Sequence, residues 1–140
     1  MAMGDGRTVK FPSPAWAAAF RSALNDSDGF RVAAAAWAAD ILFLVRSPGS
    51  EEPAPGIRLQ LSHGTCLAAE YHADARSIAA EFVFEGTPEN WRKLLLRELE
   101  PVRPFIDGTF KVRGNLAKAL RFTRAAKELV EIASGVPVSG

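Results

Sequence analysis

The chain has 140 residues, of which 48% are hydrophobic and 24% charged, and its net charge is +1. This length and balance are typical of one globular domain that is large enough to bury a real core. A net charge so close to zero excludes the strong field that draws proteins to nucleic acid, so we expect no nucleic-acid partner. We divide the chain into a flexible N-terminal tail at 1–10 and a single domain at 11–140.

Cysteine usage and hydropathy bear on the compartment. The chain has one cysteine, Cys66, which excludes an intramolecular disulfide and fits a reducing cytoplasm. Residues 1–10 hold no apolar stretch of the kind that a secretory signal needs. The most apolar run, at 33–45, is interrupted by Asp40 and is too short to cross a bilayer. The sequence therefore predicts a cytoplasmic protein.

The first part of the chain predicts two helices. Ser13 and Pro14 form a helix start, with an N-cap followed by proline at the first helical position. Asp28 is the predicted cap of a second, short helix. Apolar residues at helical spacing give each helix one buried face, namely Trp16, Phe20, Ala23 and Leu24 in the first and Phe30, Ala33, Ala34 and Trp37 in the second.

Strand patterns follow. The continuous run of branched and aromatic residues at 41–45 predicts a central strand at about 40–46. Strict alternation in IRLQLSH predicts a strand with one solvent-exposed face, and CLAAEYH predicts a weaker strand. Alternation within IAAEFVFEG predicts a further strand with Phe82 and Phe84 on one face.

The C-terminal part predicts a helix, a strand and a long helix. Thr87 and Pro88 repeat the helix-start signal, and Trp91, Leu94, Leu95 and Leu99 mark one face. TFKVR alternates as a short strand, and Asn115 caps a helix at 116–134 that Gly135 ends. This order of helices and strands predicts an α+β fold, with helices against an antiparallel-rich sheet.

The last predicted helix has two apolar flanks. One consists of Leu116, Ala119, Leu120, Thr123, Ala126 and Val130, and its neighbour of Phe122, Leu129, Ile132 and Ala133. Together they span about 200°, which is wider than the stripe of a surface helix. Either a second surface or an apolar ligand must therefore cover part of this helix.

Within the segment PFIDGTFKVRGNL, Gly108 and Gly114 bracket a short run that carries Lys111 and Arg113, which raises the question of a phosphate-binding loop at 108–114. Such a loop needs backbone amides at a helix start and usually Lys followed by Ser or Thr after the second glycine. Asn115 and Leu116 stand there instead, and Phe110 and Val112 alternate with charged neighbours. We therefore interpret the segment as a strand whose turns lie at Gly108 and Gly114.

Three residues raise the question of metal or nucleophilic chemistry. His63 and Cys66 are three apart and His72 follows, but a structural zinc site needs four ligands and would have to recruit a carboxylate. Cys66 could instead pair with a histidine and an orienting Asp74. The simpler interpretation is a turn between strands in which Cys66 packs as a small hydrophobe. We expect no metal, no cofactor and no catalytic residue.

The order of motifs resembles a known family. From Trp91 onward the chain reads WRKLLLRELEP, then GTFKVRG, then NLAKALRFTRAAKELVEIA, and upstream it runs from FRVAAAAWAADILFLV through HGTC to EFVFEG. This order resembles the sterol carrier protein type 2 family in its stand-alone bacterial form, over about 12–138. The resemblance implies a five-stranded, mostly antiparallel sheet with helices packed on one face and an apolar cavity between them. It also implies a ligand that is a fatty acid, fatty acyl-CoA, phospholipid or sterol-like lipid.

Two positions depart from the family pattern. Where the family often has glycine six residues after the tryptophan, this chain has Arg97, so we expect the helix to run on to Leu99. Where the family has an aspartate after the second glycine, this chain has Asn115, which still caps a helix.

The candidate cavity residues follow from the resemblance and the apolar pattern. They comprise a floor of Phe82, Phe84 and Phe110, with walls and lid of Leu95, Phe105, Ile106, Leu120, Phe122 and Leu129. Opening of the final helix would admit the ligand. Lys118, Arg121, Arg124 and Lys127 are either contacts for a lipid head group or a solvent face. Transient membrane contact would accompany transfer of a lipid.

An alternative function is an interaction module without a cavity. The same helix face would then pack against a second copy or a partner, with Leu96 as an exposed contact and Leu129 in the dimer interface. Chemistry at His63 and Cys66 is a third hypothesis.

Overall fold

The structure, a computed structural model, describes residues 8–139. Its elements in chain order are α1 Pro14–Asn25, α2 Asp28–Ala33, β1 Ala38–Val45, β2 Gly56–Ser62, β3 Thr65–His72, β4 Phe82–Gly86, α3 Pro88–Leu95, α4 Arg103–Ile106, β5 Lys111–Gly114, α5 Leu116–Arg121 and α6 Thr123–Ser134. Residues 1–7 of the predicted tail lie outside the described residues. Val9, within the same predicted tail, forms an isolated bridge with Val138.

The strands form one five-stranded sheet in the order β3-β2-β1-β4-β5. Neighbouring strands are antiparallel except β1 and β4, which pair in parallel from Ile41 with Phe82 to Val45 with Gly86. The predicted α+β fold with a mostly antiparallel sheet is therefore confirmed.

The central strand β1 is apolar and buried from Ile41 to Val45 because both of its faces are covered there. Ile41 and Phe43 belong to the main core, which they share with Trp16 and Phe20 of α1. Leu42 and Leu44 face the other way, into a smaller cluster with Ala54 and Ala75. The loops that carry these two alanines are joined by Asp74, whose carboxylate accepts a hydrogen bond from the Ala54 amide at 3.3 Å.

The predicted helix starts at Ser13, Thr87 and Asn115 are confirmed. Their side chains accept hydrogen bonds at 3.1 Å from the amides of Trp16, Asn90 and Lys118. The cap predicted at Asp28 was wrong by one residue. Ser27 caps α2 by accepting from the Phe30 amide at 3.1 Å, and Asp28 occupies the first turn, where it pairs with Arg31.

Helix α3 ends at Leu95, so the predicted extension to Leu99 was wrong. Arg97 takes the left-handed conformation, with φ of 63°. The Arg97 amide donates to the carbonyl of Leu94 at 3.1 Å and the Glu98 amide to that of Lys93 at 2.8 Å. These two bonds form a Schellman motif, which satisfies carbonyls at the helix end. An arginine therefore occupies the position that the family often gives to glycine.

The predicted single helix at 116–134 was also wrong, because the chain breaks at Phe122 between α5 and α6. Phe122 leaves helical geometry, with φ of −116° and ψ of 28°. Its ring stacks on Trp37 at a centroid distance of 5.5 Å. The Thr123 hydroxyl donates to the carbonyl of Leu120 at 3.0 Å. This side-chain hydrogen bond satisfies a carbonyl at the break.

Candidate functional site

An apolar groove of about 290 Å³ opens between the β4–β5 side of the sheet and the C-terminal helices. It is lined by Phe84, Pro101, Val102, Phe105, Ile106, Val112, Ala119, Leu120, Thr123, Ala126 and Val130. Thr123 is the one polar residue among these eleven, and its hydroxyl already donates to a helix carbonyl. The groove therefore offers an apolar surface with no charged side chain in its wall.

Aromatic packing holds the floor of the groove. Phe84 of β4 pairs across the sheet with Val112 of β5, which places both side chains on the helix side. The Phe84 ring lies 5.8 Å from Phe43 beneath it and 5.2 Å from Phe105 beside it. Such ring pairs add stability beyond the area that they bury. The floor is therefore anchored to the main core.

The helical wall of the groove is one of the two predicted apolar flanks. Ala119, Leu120, Thr123, Ala126 and Val130 line the groove, while the side chain of Leu116 lies outside the described part of the chain. The neighbouring flank packs inside the protein, where Leu129 and Ala133 are buried. The wide apolar arc is thus shared between the core and an open groove.

The structure brings four of the nine predicted cavity residues into the groove: Phe84, Phe105, Ile106 and Leu120. It places the other five among the core residues or packed against them: Phe82, Leu95, Phe110, Phe122 and Leu129. The candidate list left out seven lining residues: Pro101, Val102, Val112, Ala119, Thr123, Ala126 and Val130. Four of them, Ala119, Thr123, Ala126 and Val130, belong to the groove-facing flank, and that membership was the signal that could have found them.

The mouth of the groove combines exposed apolar and basic side chains. Ile106 is 78% exposed and Leu120 is 77% exposed. Arg103, Arg121 and Arg124 are near these two residues in the sequence, and all three are exposed. Helix α5 is fastened beside the mouth by Lys118, whose ammonium donates to Glu81 at 2.8 Å and to the carbonyl of Ala38 at 3.2 Å.

Other depressions on the surface have charged walls. One of about 350 Å³ includes Arg46 and Glu52, and one of about 550 Å³ includes Arg97, Glu98 and Glu131. Burying a charged side chain beneath an apolar ligand is costly. The smaller groove is therefore the better candidate for an apolar ligand, although these depressions are larger.

Cys66 is held as a structural residue. Its thiol is buried, which raises the pKa of that group to about 11 and keeps it protonated at neutral pH. The Asn25 side chain accepts from the Cys66 amide at 2.8 Å and donates to its carbonyl at 3.1 Å. His63 lies exposed, next to the Ser62 hydroxyl at 3.1 Å. Within 8–139, no three His, Cys, Asp or Glu side chains are grouped to hold a metal ion.

The segment at 108–114 is a turn and a strand, as predicted. Gly108 and Gly114 have positive φ angles of 90° and 130°, and residues 111–114 pair with β4. Arg113 lies on the far side of the sheet and pairs with Glu85 at 3.2 Å. Residues 111–114 form an edge strand of the sheet and not a glycine-rich loop, so the phosphate-loop interpretation is wrong.

None of the helices formed by residues 8–139 combines the length and the apolar character that a bilayer crossing requires.

Comparisons with known proteins point to one family. The family model for the SCP-2 sterol transfer family matches residues 20–127. Among curated proteins, none matches this chain in sequence.

Solved structures share the fold. A crystal structure of sterol carrier protein 2 is 31% identical, with a TM-score of 0.81, over 89% of this chain and 97% of the other. The solution structure of TT1886 from Thermus thermophilus, described as possibly a sterol carrier protein, is 29% identical, with a TM-score of 0.81, over 96% of this chain and 95% of the other. The apo form of sterol carrier protein 2 from Yarrowia lipolytica is 17% identical, with a TM-score of 0.53, over 91% of this chain and 96% of the other. This third structure shares the fold.

Proposed function

This chain belongs to the SCP-2 sterol transfer family, and on that basis we propose that it is a non-catalytic carrier that binds the acyl chain of a lipid in the groove. The observation that carries the proposal is the composition of the groove wall, in which ten of eleven lining residues are apolar. An apolar chain gains about 0.8 kcal/mol for each methylene that it removes from water. A wall without charges admits such a chain with no desolvation penalty.

The size of the groove sets how much of a lipid it covers. If a methylene fills about the 30 Å³ that a water molecule occupies in the liquid, the groove of about 290 Å³ holds on the order of ten methylenes. The rest of a longer chain and the polar end of the lipid would remain at the mouth. This arrangement favours ligands with an extended acyl chain over a bulky ring system.

Displacement of a fluorescent fatty acid from the purified protein tests the proposal. Ala126→Trp puts a large side chain into the groove wall and is expected to weaken binding at least tenfold by occupying the space. Ala18→Trp is the matched control, because Ala18 is an exposed residue of α1 and should leave binding unchanged. If both variants retain saturable binding, the ligand lies outside the groove. If the parent protein shows no saturable binding and no bound lipid in native mass spectrometry, the carrier function is refuted.

The alternative function, an interaction module, draws support from exposed apolar residues. Leu96 is 41% exposed, as predicted, and lies apart from the groove. The proposed Leu129 contact is unsuitable, since Leu129 is fully buried in the core and Leu129→Glu would unfold the monomer. Sedimentation of Leu96→Glu and Leu120→Glu variants is the better test. A tight dimer that either variant dissociates, with no lipid binding by the parent protein, would favour this function.

A further inference from the structure

We propose that the mouth of the groove is a docking surface for an anionic lipid bilayer. We call this surface the rim and define it by Arg103, Ile106, Leu120, Arg121 and Arg124. The inference rests on the proposed function, because the docked face is the one through which the groove opens.

The rim carries the two most exposed large hydrophobic residues of the described chain. Ile106 and Leu120 are 78% and 77% exposed, whereas Val32, Leu67 and Leu96 are 71%, 48% and 41% exposed. Ile106 and Leu120 line the same groove. Two such side chains on opposite elements at one opening form an apolar tip that can enter the interface of a bilayer.

Basic side chains accompany the apolar tip. Arg103 precedes Ile106 by three residues in α4, so the two share a face. Arg121 and Arg124 each follow a groove-lining residue by one position and therefore stand about 100° to its side. Across residues 8–139, neither Arg121 nor Arg124 forms an ion pair or a side-chain hydrogen bond. These charges are available to lipid phosphates.

Most carboxylates near the rim are engaged by other groups. The exception is Glu100, which is exposed beside the groove-lining Pro101 and forms no ion pair within residues 8–139. Asp107 accepts hydrogen bonds from the Thr109 amide at 2.9 Å and from its hydroxyl at 2.6 Å. These hydrogen bonds lower the pKa of the Asp107 carboxyl most, and Arg103 lies close enough for its charge to lower that pKa as well. Glu128 lies against Gly29 of α2, on the side of α6 that packs into the fold. Glu131 pairs with Lys127 at 3.9 Å and lines the depression next to Arg97. The rim is therefore apolar and cationic, which complements a bilayer with anionic head groups.

The same charges disfavour a second copy as the occupant. An isologous dimer through the rim would place the arginines of both copies in one interface. Like charges placed together across an interface oppose association. An anionic bilayer meets both the apolar and the basic components of the rim.

Co-sedimentation with lipid vesicles tests the inference. The protein is expected to bind vesicles of equimolar phosphatidylglycerol and phosphatidylcholine, less at high salt, and not to bind pure phosphatidylcholine. The double variant Arg121→Gln with Arg124→Gln should bind about thirtyfold more weakly, because each basic residue near the surface contributes a factor of about five, equivalent to about 1 kcal/mol. Leu120→Ser should reduce binding about tenfold.

The matched control is the double variant Arg31→Gln with Val32→Ser, which removes one exposed charge and one exposed apolar side chain from α2, away from the groove. It should bind vesicles as the parent protein does. The proposed surface would be overturned if this control lost as much vesicle binding as the rim variants. It would also be overturned if the parent protein bound pure phosphatidylcholine as well as it binds the anionic vesicles.

A solution assay separates this inference from the carrier function. Displacement of a fluorescent fatty alcohol, measured without vesicles, should be unaffected by Arg121→Gln with Arg124→Gln. A parent protein that binds the alcohol but not the anionic vesicles would overturn the docking surface and leave the carrier function intact. Vesicle binding that depends on the rim, without binding of the alcohol, would support the surface and refute the carrier. A dimer that Leu120→Ser dissociates would identify a second copy as the occupant and overturn the bilayer.

Discussion

Burial of the Cys66 thiol makes the stability of this protein depend on pH in a defined range. The pKa of the thiol rises from its ordinary value of 9.0 to about 11, mainly because burial disfavours the thiolate, while the nearby Arg21 opposes the shift. Between these values the unfolded chain loses a proton that the folded protein keeps. The thiol therefore has no effect on stability below pH 9 and lowers stability as the pH rises towards 11.

Comparison of the parent protein with Cys66→Ala isolates this effect. The difference in free energy of unfolding between the two should change by about 2 kcal/mol between pH 8 and pH 11, in the direction that weakens the parent protein. Urea unfolding at a series of pH values measures it, and other titrating groups cancel because both proteins share them. A difference that stays constant with pH would contradict a buried, neutral thiol.

Arg97 shows a second single-residue effect, because it holds a left-handed conformation with φ of 63°. A side chain in that region costs about 1–2 kcal/mol, and glycine removes this cost but loses more entropy on folding. We expect Arg97→Gly to raise the free energy of unfolding by about 0.5–1 kcal/mol. Leu96→Gly is the control, since Leu96 has φ of −89° and should lose stability. A lower free energy of unfolding for Arg97→Gly would show that contacts of the arginine side chain stabilise the fold by more than the left-handed backbone conformation costs.

At the scale of elements, strand β5 depends on two glycines with different surroundings. A side-chain carbon at Gly114 would lie 2.3 Å from the carbonyl oxygen of Glu81, whereas one at Gly108 would meet no atom within 4 Å. Both have positive φ. Gly108→Ala should therefore cost only conformational strain, about 1 kcal/mol. Gly114→Ala should cost at least twice as much and separate β5 from β4.

Chemical unfolding of the two alanine variants measures these costs, and the fatty-acid displacement assay reports on the groove. Gly114→Ala should weaken ligand binding, since Val112 of the same strand lines the groove, while Gly108→Ala should not. Equal stability of the two variants would mean that β5 can shift to accept the extra carbon.

The elements that the sequence predicted are those whose signals are local. Caps at Ser13, Thr87 and Asn115 and the alternation of β2 each involve residues close in the chain. The break at Phe122 has no such signal, because it accompanies stacking on Trp37, which lies far away in the sequence. The end of α3 at Leu95 was missed for the opposite reason. Arginine disfavours the turn locally, and the two Schellman hydrogen bonds hold it in place.

For the molecule as a whole, the order of motifs predicted the fold class, whereas the groove emerged only in three dimensions. The parallel pairing of β1 with β4 brings Phe84 beside Phe43 and so places the floor of the groove next to the central strand. Periodicity identified the groove-facing flank of the last helices, but it missed the buried Ala125, which belongs to neither flank, and Val130 of the groove flank is also part of the core. It could not show which flank meets the core, since both are apolar, and for that reason Phe122 and Leu129 were assigned to the cavity.

The finite volume of the groove makes affinity depend on the length of the ligand. Each methylene that enters should increase affinity about fourfold, the equivalent of about 0.8 kcal/mol. A groove of about 290 Å³ fills at on the order of ten methylenes, and further carbons remain in water and add little. The affinity for saturated fatty acids of increasing length, measured by displacement, should therefore rise steeply and then level off.

Ala126→Trp occupies part of the volume and should move the plateau to shorter chains, whereas Ala18→Trp should leave it in place. A fourfold gain per carbon that continues to long acyl chains would show instead that the groove deepens on binding, through separation of α5 from the sheet where Lys118 now holds it to Glu81.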